Sequence, residues 1–289
     1  MNAAVDVRVN ARILAILSIC ATAFFLASHD ALAKRLTMEY PIALMVWVRY
    51  LVHFLVMGVT AAQSGGARAF HSGCYHLHFM RAACLVALSF CFIFGLRFIP
   101  LAEATAVNFL SPMFVLMLTV MFFSERVQGK QWFSVILGLA GVLLIVRPGG
   151  ELFTPAILLP CAAAAFFSVY QVLTRVAGKV DSPTTSNLMV GLIGLLISSV
   201  LLPFFWVVPT GEGLALMILL GLMGTAAHLF LAHAYKLSSP ALLAPFSYAQ
   251  ILFAGLLGFI FYGHIPDIGA IVGMVLIVVG GLLAAIRFK

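Results

Sequence analysis

Ten stretches of mostly apolar residues, each close to twenty long, follow one another along this 289-residue chain, and no other feature constrains its fold as tightly. They run approximately from 11 to 33, 41 to 62, 76 to 98, 101 to 123, 130 to 147, 155 to 177, 184 to 208, 212 to 235, 240 to 262 and 267 to 286. A helix rises about 1.5 Å per residue, so roughly 20 apolar residues cross about 30 Å of hydrocarbon. Between the stretches lie only short polar or breaker segments, such as Lys34-Arg35, Gln63-Ser64-Gly65-Gly66, Arg147-Pro148-Gly149-Gly150 and Ser238-Ser239-Pro240. The sequence therefore predicts an all-α polytopic membrane protein with ten transmembrane helices and no separate soluble domain.

Composition excludes the alternative of a soluble enzyme. Charged residues make up 9% of the chain and hydrophobic residues 64%, with a mean hydropathy of +1.16, whereas soluble domains carry roughly 25% charged residues. Nine acids and sixteen Lys plus Arg cannot cover the surface of a fold this size with polar groups. A net charge of +7 fits basic loops on one side of a bilayer, and no nucleic-acid partner is expected. With the N-terminus inside, Lys34, Arg35, Arg97 and Arg147 fall outside and Arg49 lies within a span, which leaves eleven of the sixteen basic residues inside. That bias predicts a multi-pass inner-membrane protein with both termini cytoplasmic. Arg8 and Arg12 before an apolar run ending Ala31-Leu32-Ala33 resemble a signal peptide, but His29 and Asp30 interrupt the cleavage region, and the run is read as the first span. The five cysteines form no CxxC pair, and the loop from His71 to His78 fits no zinc spacing, so neither metal nor cofactor is expected.

Sliding the chain by 139 residues aligns the fourth and fifth stretches with the ninth and tenth, matching Ala102 with Ala241, Phe114 with Phe253, Phe122 with Phe261 and Gly141 with Gly280. Five spans per unit is an odd number, so the second unit would enter the membrane from the opposite side. The expected organisation is two inverted five-helix repeats, 1–150 and 151–289, around a central cavity. Secondary transporters often have this architecture, with a substrate site between the halves near the midplane.

The stretches Asp30-Ala31-Leu32-Ala33-Lys34, Trp47-Val48-Arg49-Tyr50, Pro100-Leu101-Ala102-Glu103-Ala104, Ser111-Pro112, Ser124-Glu125-Arg126 and Ala244-Pro245-Phe246-Ser247-Tyr248-Ala249-Gln250 resemble the EamA-type members of the drug/metabolite transporter superfamily. The resemblance spans two units, about 11 to 147 and 155 to 286. It implies a cavity lined by the first, third and fourth helices of each half, and export of small metabolites, amino acids prominent among them. His264 departs from the pattern, since many members carry an acid there that matches Glu125.

Ionisable residues within spans are functional candidates by default, because each is costly in lipid unless it pairs or faces water. Arg49 is the foremost, with His53 one turn on; Asp30, Lys34 and Glu103 near the outer helix ends complete an expected ion network or outer gate. Ser18, Thr22 and His29 share one face of the first span. With Phe90, Phe94, Asn108, Tyr170, Gln171, His228, Ser247 and Tyr248 they make up the expected substrate site. Asn108 and Phe109 match Ser247 and Tyr248 by the repeat offset. No acid lies in the middle of the first span, Cys20 to Phe25, which disfavours a cation-specific proton antiporter and favours neutral or zwitterionic solutes. His228 and His233 keep proton coupling open. No GxSxG, HExxH or paired acidic motif is present, so an enzyme is not expected. The reading is an alternating-access exporter of aromatic or large neutral amino acids; a drug or nucleoside exporter, or a proton-coupled metabolite antiporter, is the alternative. GxxxG-like pairs at Gly269/Gly273 and Ser134/Gly138 suit close helix packing in a monomer or a homodimer.

Overall fold

A computed structural model describes residues 2–64, 66, 70–123, 129–147, 152–238 and 240–285. The helices are α1 (Asn2–Leu36), α2 (Ile42–Ser64), α3 (Tyr75–Gly95), α4 (Leu101–Asn108), α5 (Ser111–Phe123), α6 (Gly129–Val146), α7 (Leu158–Ala177), α8 (Pro183–Leu201), α9 (Gly211–Leu237), α10 (Pro240–Ser247), α11 (Ala249–Tyr262) and α12 (Ile268–Ala285). They form ten crossings, because α4–α5 and α10–α11 are each one span broken in the middle. Eight crossings are long and apolar enough to traverse a bilayer unaided, and α6 and α12 contribute shorter apolar runs, Val135–Val146 and Ile268–Leu283.

Local chemistry sets the helix ends. Ser182 caps α8 by accepting from the Thr185 amide at 3.1 Å, with Pro183 in the first turn. Thr210 caps α9 by accepting from the Gly213 amide at 3.0 Å. Gly263 ends α11 at φ 64, a left-handed conformation that costs glycine little. The α4–α5 break falls where Pro112 lacks the amide that would continue the ladder, and the Phe109 amide shares the carbonyls of Thr105 and Ala106. Pro160 sits in the first turn of α7, where its missing amide costs little.

Helix partners repeat across the two halves. The first and eighth spans pack together as the sixth and third do (α1 with α9, α7 with α3); α2 meets α9 as α8 meets α3; and α2–α8 and α6–α12 pair across the centre. A twofold relation between repeats generates this pattern, and an odd number of spans per repeat makes it inverted. The two span breaks meet at the centre, with the rings of Phe109 and Tyr248 4.9 Å apart. At the α6–α12 contact a β-carbon on Gly141 would lie 2.6 Å from the Gly273 carbonyl oxygen. The small-residue face of the last span therefore serves packing between the halves of one chain. One end of the bundle carries the α7–α8 loop with Asp181, and the other carries the α11–α12 loop with Asp267.

Candidate functional site

A cavity of about 20 Å³ lies in the middle of the bundle, walled by Arg49, Tyr50 and His53 of α2, Tyr170 of α7, Asn187 of α8, and Gly224, Thr225 and His228 of α9. Residues from both repeats meet there. A space this small holds about one water. The Arg49 guanidinium donates to Ser89 Oγ at 2.6 Å and lies over the Tyr50 ring, 5.3 Å from its centre. His53 Nδ1 is 3.3 Å from Thr225 Oγ1, and the His53 and His228 rings stand edge to face, 5.9 Å apart. Small residues make this crowding possible, since a β-carbon on Gly191 would stand 2.8 Å from His53.

Of the substrate residues expected from sequence, Tyr170 and His228 line this cavity. His29 is buried beside it, with Nδ1 2.9 Å from Asp30 Oδ1 and with Nε2 unpartnered. Ser18 and Thr22 lie elsewhere: their hydroxyls donate to the carbonyls of Leu14 and Ser18, and Thr22 also reaches the Ala227 carbonyl at 3.3 Å, so this polar stripe ties α1 to itself and to α9. Phe90 and Phe94 face a separate groove of about 710 Å³ at the Asp267 end, with Tyr40, Arg97 and Phe205. Asn108 stands at the α4–α5 break with Oδ1 buried and unpartnered. Ser247 and Tyr248 are at the matching α10–α11 break, and Gln171 is half-buried outside the cavity wall.

The expected outer ion network takes a different form. Arg49 does not pair with Asp30, whose Oδ2 accepts from Gln250 Nε2 at 3.3 Å while Oδ1 meets His29. The Lys34 amine donates to the carbonyls of Leu96 at 2.5 Å and Ile99 at 2.9 Å, at the turn ending α3. Glu103 accepts from His264 at 2.8 Å. The physical reason is competition between partners: Arg49 turns to Ser89 of α3, while His29 and Gln250 take both oxygens of Asp30. The pairing with Glu103 also explains the departure at 264, because an acid there would face a buried carboxylate. Glu125 lies outside the described residues.

One cluster escaped the sequence reading. Arg81, one of the eleven basic residues on the inner side, is 1% exposed. It donates to His78 Nδ1 at 2.9 Å, Thr174 Oγ1 at 3.0 Å and Ser186 Oγ at 2.5 Å, with its guanidinium 5.2 Å from the centre of the Tyr170 ring. A guanidinium has no acceptor, so His78 Nδ1 accepts and His78 Nε2–H donates to Asp181 Oδ2 at 2.7 Å. Asp181 also accepts from Ser72 Oγ at 2.5 Å and from the Gly73 amide at 3.0 Å. Burial alone would raise the Asp181 pKa, but the bonds from Ser72, Gly73, His78 and Cys74 outweigh it and hold the carboxyl well below the usual carboxylate range. The Cys74 thiol is pushed up by burial and by Asp181. Cys74, His78 and Asp181 present donor atoms within 4.8 Å of one another. A metal on His78 Nε2 would need Nδ1 to carry the proton, and Arg81 points a donor at that atom, so the set fits an ion poorly. Its members come from both repeats and join them at the Asp181 end. The pattern that could have revealed it is His78 and Arg81 one turn apart, opposite a lone loop aspartate.

Two inverted five-span repeats around a central polar cavity define a membrane transporter. Residues 13–147 and 154–286 each match the EamA-like transporter family, and the chain belongs to it. It is similar to an S-adenosylmethionine uptake transporter of Rickettsia felis, 25% identical over 70% of this chain and 69% of that protein. A riboflavin transporter of Brucella anthropi is 26% identical over 82% and 86% of the two chains. The pseudopaline exporter CntI of Pseudomonas aeruginosa is 26% identical over 89% and 90%. A solved crystal structure superposes with a TM-score of 0.65, at 25% identity, over 93% of this chain and 96% of the other. The protein is thus a membrane transporter of small metabolites and not an enzyme.

Proposed function

We propose that the chain exports a small amino acid-like metabolite, with aromatic or large neutral amino acids the expected class, across the inner membrane by alternating access. The carrying observation is the central cavity. It holds a fixed cation, Arg49, with aromatic and imidazole rings from Tyr50, His53, Tyr170 and His228 around it, and both repeats contribute to its wall. Rings at this density suit a flat or bulky apolar side chain, while Asn187 and Thr225 supply polar anchors. The Lys/Arg bias puts the Asp181 end and both termini in the cytoplasm. Substrate then enters after the Asp181 cluster parts and leaves when the Asp267 end opens. The relatives' names include both uptake and export, which favours uptake as the second reading of direction.

The test is purified protein in liposomes preloaded with radiolabelled phenylalanine, leucine, lysine or glutamate. Efflux of the first two above protein-free liposomes, faster than that of lysine or glutamate, is the expected outcome. No efflux of any of the four would remove the amino acid reading. Inward counterflow without net efflux would favour uptake.

A further inference from the structure

Arg49 is a half-buried cation in the middle of a span, and no carboxylate among the described residues neutralises it. The acids whose side chains are described lie elsewhere: Asp30 with His29 and Gln250, Glu103 with His264, Asp181 with His78, Glu212 with Arg35, Asp267 with Arg147, and Glu39 at the mouth of the outer groove. The polar partner of Arg49 is a neutral serine, Ser89. A charge deep in a span is costly unless an opposite charge or water attends it. The protein side of the cavity is therefore electrically incomplete.

A complementary group stands next to it. Asp30 accepts the Nδ1 proton of His29, so the other ring nitrogen, Nε2, carries a bare lone pair backed by a carboxylate. That atom is buried without a partner, and His29 as a whole is 5% exposed. Both groups converge on Gly224 of α9. A β-carbon placed there would lie 3.7 Å from Arg49 Nε and 3.8 Å from His29 Nε2, so one small head group over Gly224 can touch both. One side of that space donates from a cation; the other accepts with an anion behind it.

We infer that the space over Gly224 is a zwitterion site, in which Arg49 binds the carboxylate and the Asp30-backed His29 accepts from the ammonium of an α-amino acid. The inference rests on the transport reading above and names the head group that the cavity selects. A simple carboxylate would leave the His29 lone pair facing an anion. A simple amine would stand against Arg49. A phosphate monoester would bring two negative charges to one fixed positive charge. The zwitterion satisfies both walls, and the rings of Tyr170, His53 and His228 are left for the side chain.

The test measures binding to the purified protein by competition with radiolabelled phenylalanine, using phenylalanine, phenylalaninamide and 3-phenylpropionate, which share one side chain. The inference expects each analogue to bind at least tenfold more weakly than the amino acid, since each loses a charge-assisted bond, worth about tenfold or more. Arg49→Gln should lose the preference for phenylalanine over its amide, and His29→Leu the preference over 3-phenylpropionate. Gly224→Ala guards against misfolding: its added β-carbon makes only ordinary van der Waals contacts, 3.4 Å or more, yet occupies the space where the head group sits. It should retain wild-type thermal stability and lose phenylalanine binding. Equal binding of all three compounds, an unchanged preference in Arg49→Gln, or no phenylalanine binding would each overturn the inference. Efflux of the amide or of 3-phenylpropionate from liposomes, without discrimination, would leave transport standing and remove the zwitterion site.

Discussion

The two ends of the bundle join the repeats through polar contacts of opposite kinds. At the Asp181 end the described polar contacts between the repeats form one cluster: Asp181, His78 and Arg81 make a continuous chain of hydrogen bonds, with side-chain exposures of 8% for Asp181 and 0% for His78. At the Asp267 end the repeats are joined by several separate contacts. Arg35 meets Glu212, Arg147 meets Asp267, Tyr40 meets Thr210, Glu103 meets His264, and Tyr262 donates to the Ala31 carbonyl. Two of these pairs are largely exposed to solvent. A buried, mutually dependent network fails as a unit, whereas dispersed contacts yield one at a time. The Asp181 end should open all at once and the Asp267 end by degrees. Because Arg81 also lies over Tyr170, whatever moves the cavity wall can disturb the buried cluster directly.

The largest effect should follow Asp181→Ala. It strands the Arg81 charge and leaves the hydroxyl of Ser72 and the ring of His78 without an acceptor; breaking a buried charged network costs about 3–5 kcal/mol. Cys74 provides the readout. It is 4% exposed in the closed cluster, and with the other four cysteines replaced, its alkylation by a water-soluble maleimide should accelerate more than tenfold in this variant. Part of the gain comes from losing the carboxylate that raises the thiol pKa, so rates are compared at two pH values to separate exposure from ionisation. Unchanged alkylation would mean the cluster does not close this end.

Next in size is His264→Glu. Glu103 has a side-chain exposure of 2% and one carboxylate oxygen without a partner. A second carboxylate in place of the imidazole would force one of the two to protonate. A loss of about 2 kcal/mol in detergent-solubilised stability is expected, with transport slowed less than by Asp181→Ala. His264→Gln, which keeps a donor, should recover most of the loss. A wild-type melting curve for the glutamate variant would show that this contact contributes nothing to closure.

The same contrast governs response to acid. The native Asp181 carboxyl has a pKa below its unfolded value, so its stabilisation is complete above the ordinary carboxylate range of about 3.9 and is lost only as pH falls toward the lower native value. Cys74 in the otherwise cysteine-free protein should therefore stay protected from pH 7 to 5, once rates are corrected for thiol ionisation. Loss of protection already at pH 5.5 would contradict the assigned hydrogen bonds.

The sequence made the fold legible and the site only partly so, for a physical reason. A span announces itself by twenty local residues, and the inverted repeat by its odd count, so the ten crossings and their division into two units emerge from periodicity and offset. The match of Phe109 to Tyr248 even anticipates where the two broken spans meet. A site depends on which face of each helix turns inward, and in a chain this apolar the lipid face and the cavity face read alike. Arg49, Tyr170 and His228 stood out because polarity in a span is costly, but Gly224 and Thr225 carry no such signal. Phe90 and Phe94 lie on a span that the resemblance turns to the cavity, yet they face the outer groove. Arg81 alone carries no sequence signal because a charge at a span end is ordinarily solvated, and only the packing of α7 and α8 against α3 buries it.

The smallest effect, and the closest test of the dispersed end, is expected at Arg147. It ends α6 at φ 42, in the left-handed region where a residue with a β-carbon pays about 1 kcal/mol relative to glycine. Its guanidinium pairs with Asp267, but both side chains are open to solvent, at 46% and 64% exposure, so the pair is worth about 0–1 kcal/mol. Arg147→Gly removes the strain and the ion pair together, and the two terms nearly cancel. Arg147→Ala removes the pair and keeps the strain. The glycine variant should melt within a degree or two of the parent and the alanine variant slightly lower, with the difference between parent and alanine shrinking in high salt. If instead Arg147→Gly destabilised the protein as much as Asp181→Ala, this pair would be a cooperative lock of its own, and the distinction between a unitary end and a dispersed end would fail.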